Sequence, residues 1–243
     1  MAHPKAPVRS PGFFITGTDT GVGKTLCSGA LLHALTALGV RAVGMKPVAA
    51  GADHVDGVWI NEDVTLLRAA SAVDAPMEWV NPYLFREPIA PHIAAGRKGV
   101  VIDIARIAAA RDALADLADV VVVEGAGGFR VPLGPLQDTA DLVVRLGVPV
   151  ILVVGMRLGC LNHALLTAEA IAARGLTLAA WIANRIDPAM VAYDENLDAL
   201  RARLPAPMLA ELPHMTPADP ARAAQYFAPR KLHDLLRAFG LPA

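Results

Sequence analysis

The stretch Gly17-Thr18-Asp19-Thr20-Gly21-Val22-Gly23-Lys24-Thr25 holds the residue types that bind a phosphate chain. Backbone N–H groups of a glycine-rich turn at a helix N-terminus can surround phosphate oxygens. Lys24 can neutralise the β and γ phosphates, and the Thr25 hydroxyl can ligate magnesium. The pattern departs from G-x-x-x-x-G-K-[ST] at its first glycine, whose place falls on Thr18 with Gly17 one residue earlier. An ordinary glycine-rich turn is the alternative, but Gly-Lys-Thr between a strand and a helix makes nucleotide binding the expectation. A magnesium ion on a phosphate needs one or two protein carboxylates, usually from strand ends near the loop. Val120 to Val123 lead into Glu124, and Gly125-Ala126-Gly127-Gly128 follow, small residues that let a ligand approach the backbone. Asp63, in the first turn after Asn61, is the other candidate acid. The same two carboxylates could merely end a buried strand and complement a helix dipole. Lys46 closes a second apolar segment, Met45-Lys46-Pro47-Val48-Ala49-Ala50-Gly51. Most lysines are solvated surface charges, but at a buried strand end beside a phosphate loop this one would stabilise charge developing on a reacting phosphate.

Positioning these groups requires strands that end together. Phe13 to Thr16 reads as the first strand. Leu26 to Leu38 reads as a helix with Leu26, Ala30, Leu31, Ala34, Leu35 and Leu38 on one face, stopped by Gly39. Val40 to Lys46, Val120 to Glu124, Val148 to Gly155, Thr177 to Asn184 and Met208 to Leu212 read as further buried strands. Between them helices are expected from Asn61 to about Ala72, from Asp103 through Ala118, near Thr139 to Leu146 and from His163 to Arg174. Such alternation implies an α/β fold: a doubly wound, mainly parallel sheet with helices on both faces. Ligands in that architecture collect at the carboxyl ends of the strands. A last helix, Arg230 to Phe239, places Leu232, Leu235, Leu236 and Phe239 on one face. Docking on its own domain is the expectation over a membrane surface.

Composition narrows the class. The chain has 243 residues, 54% of them hydrophobic and 19% charged, with a mean hydropathy of +0.43. The apolar run from Val148 to Met156 is broken by Pro149 and Gly155, far short of the roughly 20 residues a spanning helix needs. No membrane role is expected. A formal net charge of -1 lacks the basic excess of a nucleic-acid binder. Cys27 and Cys160 match no metal or redox spacing, which suits a reduced, cytoplasmic compartment. Without a linker-like stretch, residues 1–243 are expected to form a single domain, with residues 1–11 a flexible tail.

Together these segments resemble the dethiobiotin synthetase family, a group of P-loop ligases. The resemblance runs through Phe14 to Thr20, Gly23-Lys24-Thr25, Lys46-Pro47-Val48-Ala49, Asn81-Pro82-Tyr83, Pro91-His92-Ile93 and Val123 to Gly128. It continues through Pro149 to Gly155, Leu158 to Ala164 and Ala183-Asn184, in order along nearly the whole chain. It implies an ATP-dependent cyclo-ligase of biotin synthesis that joins diaminopelargonic acid and carbon dioxide through a carbamate and a carbamic-phosphoric anhydride. It further implies magnesium on Thr25, Asp63 and Glu124, and ATP phosphates and ribose on Gly21, Val22, Gly23, Lys24, Thr25 and Leu26 with Glu124, Gly125, Ala126 and Gly127. Lys46 and Lys24 become charge-stabilising lysines, and Thr20 and Ala50 face the substrate. Asn184 becomes the adenine reader, beside Arg185, with Leu212, Pro213 and His214 along the base. The Gly159, Cys160, Leu161 and Asn162 loop reaches the substrate carboxylate of the neighbouring subunit in a homodimer.

Certain positions depart from that pattern. Ala50 stands where family members carry a hydroxyl, Gly21 where some carry an acid, and Arg185 where an acid can follow the asparagine. His92 and His163 are read as structural, and Cys160 as a small loop residue without a base beside it. The competing readings are a ParA/MinD-like regulatory ATPase and a cobyrinate-type amide synthase. Asp19 stands where the former carries a second lysine, and the latter needs a glutaminase portion for which the chain has no room.

Overall fold

The structure is a computed structural model, and it describes residues 12–242. The expected tail, residues 1–11, lies outside them. The strands are β1 (Gly12–Gly17), β2 (Ala42–Met45), β3 (Val48–Ala50), β4 (Asp53–Val55), β5 (Val58–Ile60), β6 (Tyr83–Phe85), β7 (Val120–Glu124), β8 (Val150–Gly155), β9 (Leu178–Asn184) and β10 (Met208–Leu212). The α-helices are α1 (Lys24–Ala37), α2 (Glu62–Ala70), α3 (Met77–Val80), α4 (Pro91–Arg97), α5 (Ile104–Leu117), α6 (Thr139–Leu146), α7 (Cys160–Ala173), α8 (Tyr193–Arg203), α9 (Pro220–Ala223) and α10 (Pro229–Ala238).

The main sheet runs β10-β9-β8-β1-β7-β2, and every neighbouring pair is parallel. Apolar residues at consecutive positions suit strands covered on both faces. Phe13 and Ile15 of β1 pack with Val120 and Val122 of β7 and with Leu31 and Leu35 of α1. On the other face Phe14, Val121 and Val123 meet Ile107 and Leu114 of α5 and Leu142 and Val143 of α6. Leu152, Val154 and Trp181 form a further cluster with Leu197 and Leu200 of α8. The doubly wound expectation therefore holds.

Several boundaries move for local reasons. α1 begins at Lys24 rather than Leu26 because Gly23, with φ 82°, already turns the chain into the helix. α7 begins at Cys160 rather than His163, behind Gly159 with φ 93°. α6 starts at Thr139 as expected, held by a capping box between Asp138 and Asp141. α10 packs on the sheet, with Leu232, Leu235 and Leu236 buried on its α1 side and Phe239 edge-on to Phe13. No helix among the described residues is long and apolar enough to cross a membrane. Beyond the expected elements stand α8, the β3–β6 pair and a β4–β5 hairpin turned at Asp56-Gly57.

Candidate active site

At the carboxyl ends of β1, β2 and β7 a cavity of about 730 Å³ opens. Thr20, Gly21, Lys24, Thr25, Lys46, Ala50, Asp63, Glu124, Ala126 and Gly127 all line it, although they come from separate parts of the chain. β1 delivers the phosphate loop, β2 ends beside Lys46, and Asn61 caps α2 so that Asp63 stands in its first turn. The registers Ile15↔Glu124 and Met45↔Val123 bring these strand ends level.

The centre of the cavity is a network of charge. Lys46 Nζ lies 2.6 Å from Glu124 Oε1 and 2.8 Å from Asp63 Oδ2. Thr25 Oγ1 lies 2.6 Å from Asp63 Oδ1 and 2.9 Å from Glu124 Oε1. One hydroxyl proton cannot be donated to both carboxylates, and Glu124 Oε2 is buried with no hydrogen-bond partner among the described residues. An oxygen-rich set with a spare anionic acceptor suits a hard divalent cation, so the residues fit magnesium. Lys46 is 4% exposed and Glu124 fully buried. Burial alone would push the Lys46 ammonium down, but Glu124 and Asp63 outweigh it and hold the group above its usual value. Burial likewise opposes ionisation of Asp63, yet Lys46, assisted by Thr25, keeps its carboxyl below the ordinary range.

The backbone of Lys46 is fixed from both sides. Its N–H donates to the Val80 carbonyl at 2.8 Å, and its carbonyl accepts from Asn81 Nδ2 at 2.6 Å. Asn61 ties the opposite rim, its Nδ2 donating to the Gly51 carbonyl at 2.6 Å while its Oδ1 accepts from the Val64 N–H. The segment next to Ala50 is thereby held to the helix that carries Asp63. No sequence signal marked Asn61 for more than its cap, or Asn81 for any role.

Lys24 Nζ donates to the Asp19 carbonyl at 2.9 Å. Burial, then the like charge of Lys46, lowers its pKa to about 8 against the pull of Glu124, Asp63 and Asp19. A triphosphate favours the ammonium form. Below that pH Lys24 is already charged, whereas above it binding must take up a proton. Nucleotide affinity is therefore expected to fall as pH rises past about 8, by at most roughly tenfold per pH unit. Calorimetry in buffers of different ionisation enthalpy measures both the affinity and the proton uptake; affinity flat to pH 10 would refute it.

Other expected residues support the loop or stand apart from the cavity. Val22 is buried, and its carbonyl accepts from Asn184 Nδ2 at 2.9 Å. Gly23 is required there, since a Cβ would sit 2.1 Å from that nitrogen at φ +82°. Asn184 thus braces the phosphate loop in addition to standing at the strand end. Leu26 is half-buried in α1, and the Gly125 N–H donates to the Ile15 carbonyl. Pairing of Leu212 with Asn184 places Leu212-Pro213-His214 alongside. His214 Nδ1 is 3.3 Å from the Arg185 carbonyl, and the Arg185 guanidinium stacks 4.6 Å over the Tyr193 ring. Gly159 precedes α7 and Cys160, Leu161 and Asn162 begin it, and none of them lines the cavity of its own chain. Nor do His92 and His163. Burial raises both the Cys27 and the Cys160 thiol pKa, which makes neither a ready nucleophile. Sequence reading also missed the ion pair of Asp19 with Arg157, at 2.7 Å, which joins the phosphate loop to the turn before α7.

Comparison with known proteins adds to this geometry. A family model described as an AAA domain matches residues 11–222. The ATP-dependent dethiobiotin synthetase BioD of Aromatoleum aromaticum (strain DSM 19018 / LMG 30748 / EbN1) is 61% identical over 224 residues, 92% of this chain and 97% of that protein. Among solved structures, the MinC:MinD cell division protein complex of Aquifex aeolicus is similar with a TM-score of 0.57 at 15% identity, covering 96% of this chain and 97% of that one. A ParA family ATPase from Chlorobium tepidum TLS gives a TM-score of 0.53 at 14% identity over 95% of this chain and 92% of that one. At such identity these structures speak to fold alone.

Proposed function

The chain belongs to the ATP-dependent dethiobiotin synthetase family, and on that premise we propose how the residues of its cavity close a cyclic urea. It is a ligase that forms carbon–nitrogen bonds, using ATP to make dethiobiotin in biotin synthesis. Family membership sets aside the regulatory-ATPase and amide-synthase readings.

The reaction places anions together. One amine of diaminopelargonic acid adds to carbon dioxide, losing a proton, to give a carbamate. A carbamate oxygen attacks the γ-phosphorus and ADP departs, leaving a carbamic-phosphoric anhydride. The second amine then attacks the carbamoyl carbon, loses a proton and expels phosphate as the ring closes. Carbamate and γ-phosphate repel each other, and Lys24 and Lys46 offset that repulsion in a cavity where charges are poorly screened. The observation that carries this reading is the convergence of Lys24, Lys46, Asp63 and Glu124 on one cavity with Thr25.

Thr25, Asp63 and Glu124 would hold magnesium, which when bound supplies positive charge to the phosphate oxygens. Gly21 to Leu26 and Glu124 to Gly127 embrace the nucleotide, and Thr20 and the backbone beside Ala50 face the diamine. Asn184, with Arg185 and Leu212 to His214, takes the adenine. Holding carbamate and phosphate side by side replaces a collision by a positioned step. The chain acts as one domain in the cytoplasm.

The active form is a homodimer with a shared site. Two observations support this: the Gly159–Asn162 turn lies off its own cavity, and α7 with the preceding turn exposes Leu158 (93%) and Leu166 (56%). Asn162 and the neighbouring N–H groups then meet the substrate carboxylate of the second subunit. Mixing inactive Lys46→Ala and Asn162→Ala chains is therefore expected to restore activity in heterodimers, read as phosphate release with all substrates present. No rescue, with subunit exchange confirmed, would refute the shared site.

A further inference from the structure

Lys46 is placed oddly for a group that works on a phosphate. Its Nζ does not project freely into the cavity but sits between Glu124 Oε1 at 2.6 Å and Asp63 Oδ2 at 2.8 Å, with the Gly125 carbonyl at 3.4 Å. Those are the two acids that, with Thr25, offer the oxygen set for a divalent ion. We propose that Lys46 and the divalent ion are alternative occupants of the Asp63–Glu124 pair, so that Lys46 reaches the reacting phosphate only when the pair holds metal. This rests on the reading of Thr25, Asp63 and Glu124 as metal ligands.

Charge and geometry both argue for exclusion. Metal oxygen ligands lie at roughly 2.0–2.1 Å from magnesium, so an ammonium left at hydrogen-bond distance from the same Glu124 oxygen would face a double positive charge almost in contact. A four-carbon stem lets the ammonium move while the backbone stays. The backbone of Lys46 is indeed pinned, by the Val80 carbonyl and by Asn81. An entering ion has a first foothold on each acid: among the described residues Glu124 Oε2 has no partner and Asp63 Oδ1 accepts from the Thr25 hydroxyl, and it is full coordination by both acids that displaces the ammonium. The Asp63 side chain is 38% exposed, so the pair can be approached from the cavity. While Lys46 stays in place it screens the acids from each other and keeps the site assembled. The consequence is weak metal binding by the protein alone.

Manganese(II), followed by electron paramagnetic resonance without nucleotide, tests this on the full chain. Lys46→Gln removes the internal cation and is expected to bind manganese at least tenfold more tightly than the native protein, with Lys46→Arg close to native. Equal or weaker binding by Lys46→Gln overturns the proposal. Adding Glu124→Gln to Lys46→Gln should abolish the gain. If the gain persists, the ligand assignment itself is wrong and the proposal falls with it. Should Lys46→Gln fail to fold, reductive methylation of the native protein read by mass spectrometry decides the matter. Labelling of Lys46 is expected to quicken when magnesium is added, and an unchanged rate overturns the exchange.

Discussion

Lys46→Ala is expected to lower turnover by about 100-fold or more, the loss that follows removal of one contact to charge developing in a transition state. Nucleotide affinity should change little, because the loop from Gly17 to Thr25 owes none of its hydrogen bonds to Lys46. The split between turnover and binding is the discriminating feature. Lys46→Ala also costs stability, because it leaves Glu124 buried without its cation; a side chain with only that structural role would spare turnover in the molecules that remain folded. Single-turnover phosphate release at saturating magnesium-ATP measures the chemical step, and circular dichroism confirms that the variant is folded. Near-native turnover would return Lys46 to the role of a buried counter-ion.

Glu124→Ala should have a comparable effect on stability. Glu124 has no exposed surface, and its Oε1 holds both Lys46 and Thr25. Leaving a buried charge wholly unpaired costs about 3–5 kcal/mol; Lys46 keeps Asp63 at 2.8 Å, so the loss is expected at or below the low end of that range. Urea unfolding measures the loss directly, and a change below about 1 kcal/mol would contradict the account, since only exposed pairs are worth so little. Turnover should fall as well, because the same carboxylate is a proposed magnesium ligand. Glu124→Gln separates the effects: it keeps the volume and one acceptor, so it should unfold less easily than Glu124→Ala while remaining poorly active.

How legible the site was depended on sequence distance. Gly23-Lys24-Thr25 and Val120 to Glu124 announce themselves because local order dictates what they do: a glycine that enters a helix, and a buried strand that ends in an acid. The strands of the main sheet were legible for the same reason, as apolar runs covered on both faces. The three-residue strands β4 and β5 gave no such signal. Their side chains are mostly exposed, so no alternation of burial is imposed on them. α8 was missed because its mostly polar stretch buries only Tyr193, Leu197 and Leu200.

Long-range contacts were hidden altogether. Asp19 and Arg157 meet across 138 positions, and Asn184 reaches the Val22 carbonyl across 162. Neither partner carries a local pattern that names the other. The placement of Lys46 between the two acids was equally hidden. A strand-end lysine near a phosphate loop suggested chemistry, but only the fold shows that its ammonium is committed to the candidate metal ligands. The resemblance to the ligase family was legible because its motifs lie in order along the chain, whereas the solved structures at 14–15% identity share the fold alone.

Coupling between ring formation and ATP cleavage tests the central claim most directly. Purified protein with magnesium-ATP, labelled bicarbonate and diaminopelargonic acid should release one phosphate for each label fixed into dethiobiotin, and omission of the diamine should stop both. Phosphate release at the full rate without the diamine would contradict the account.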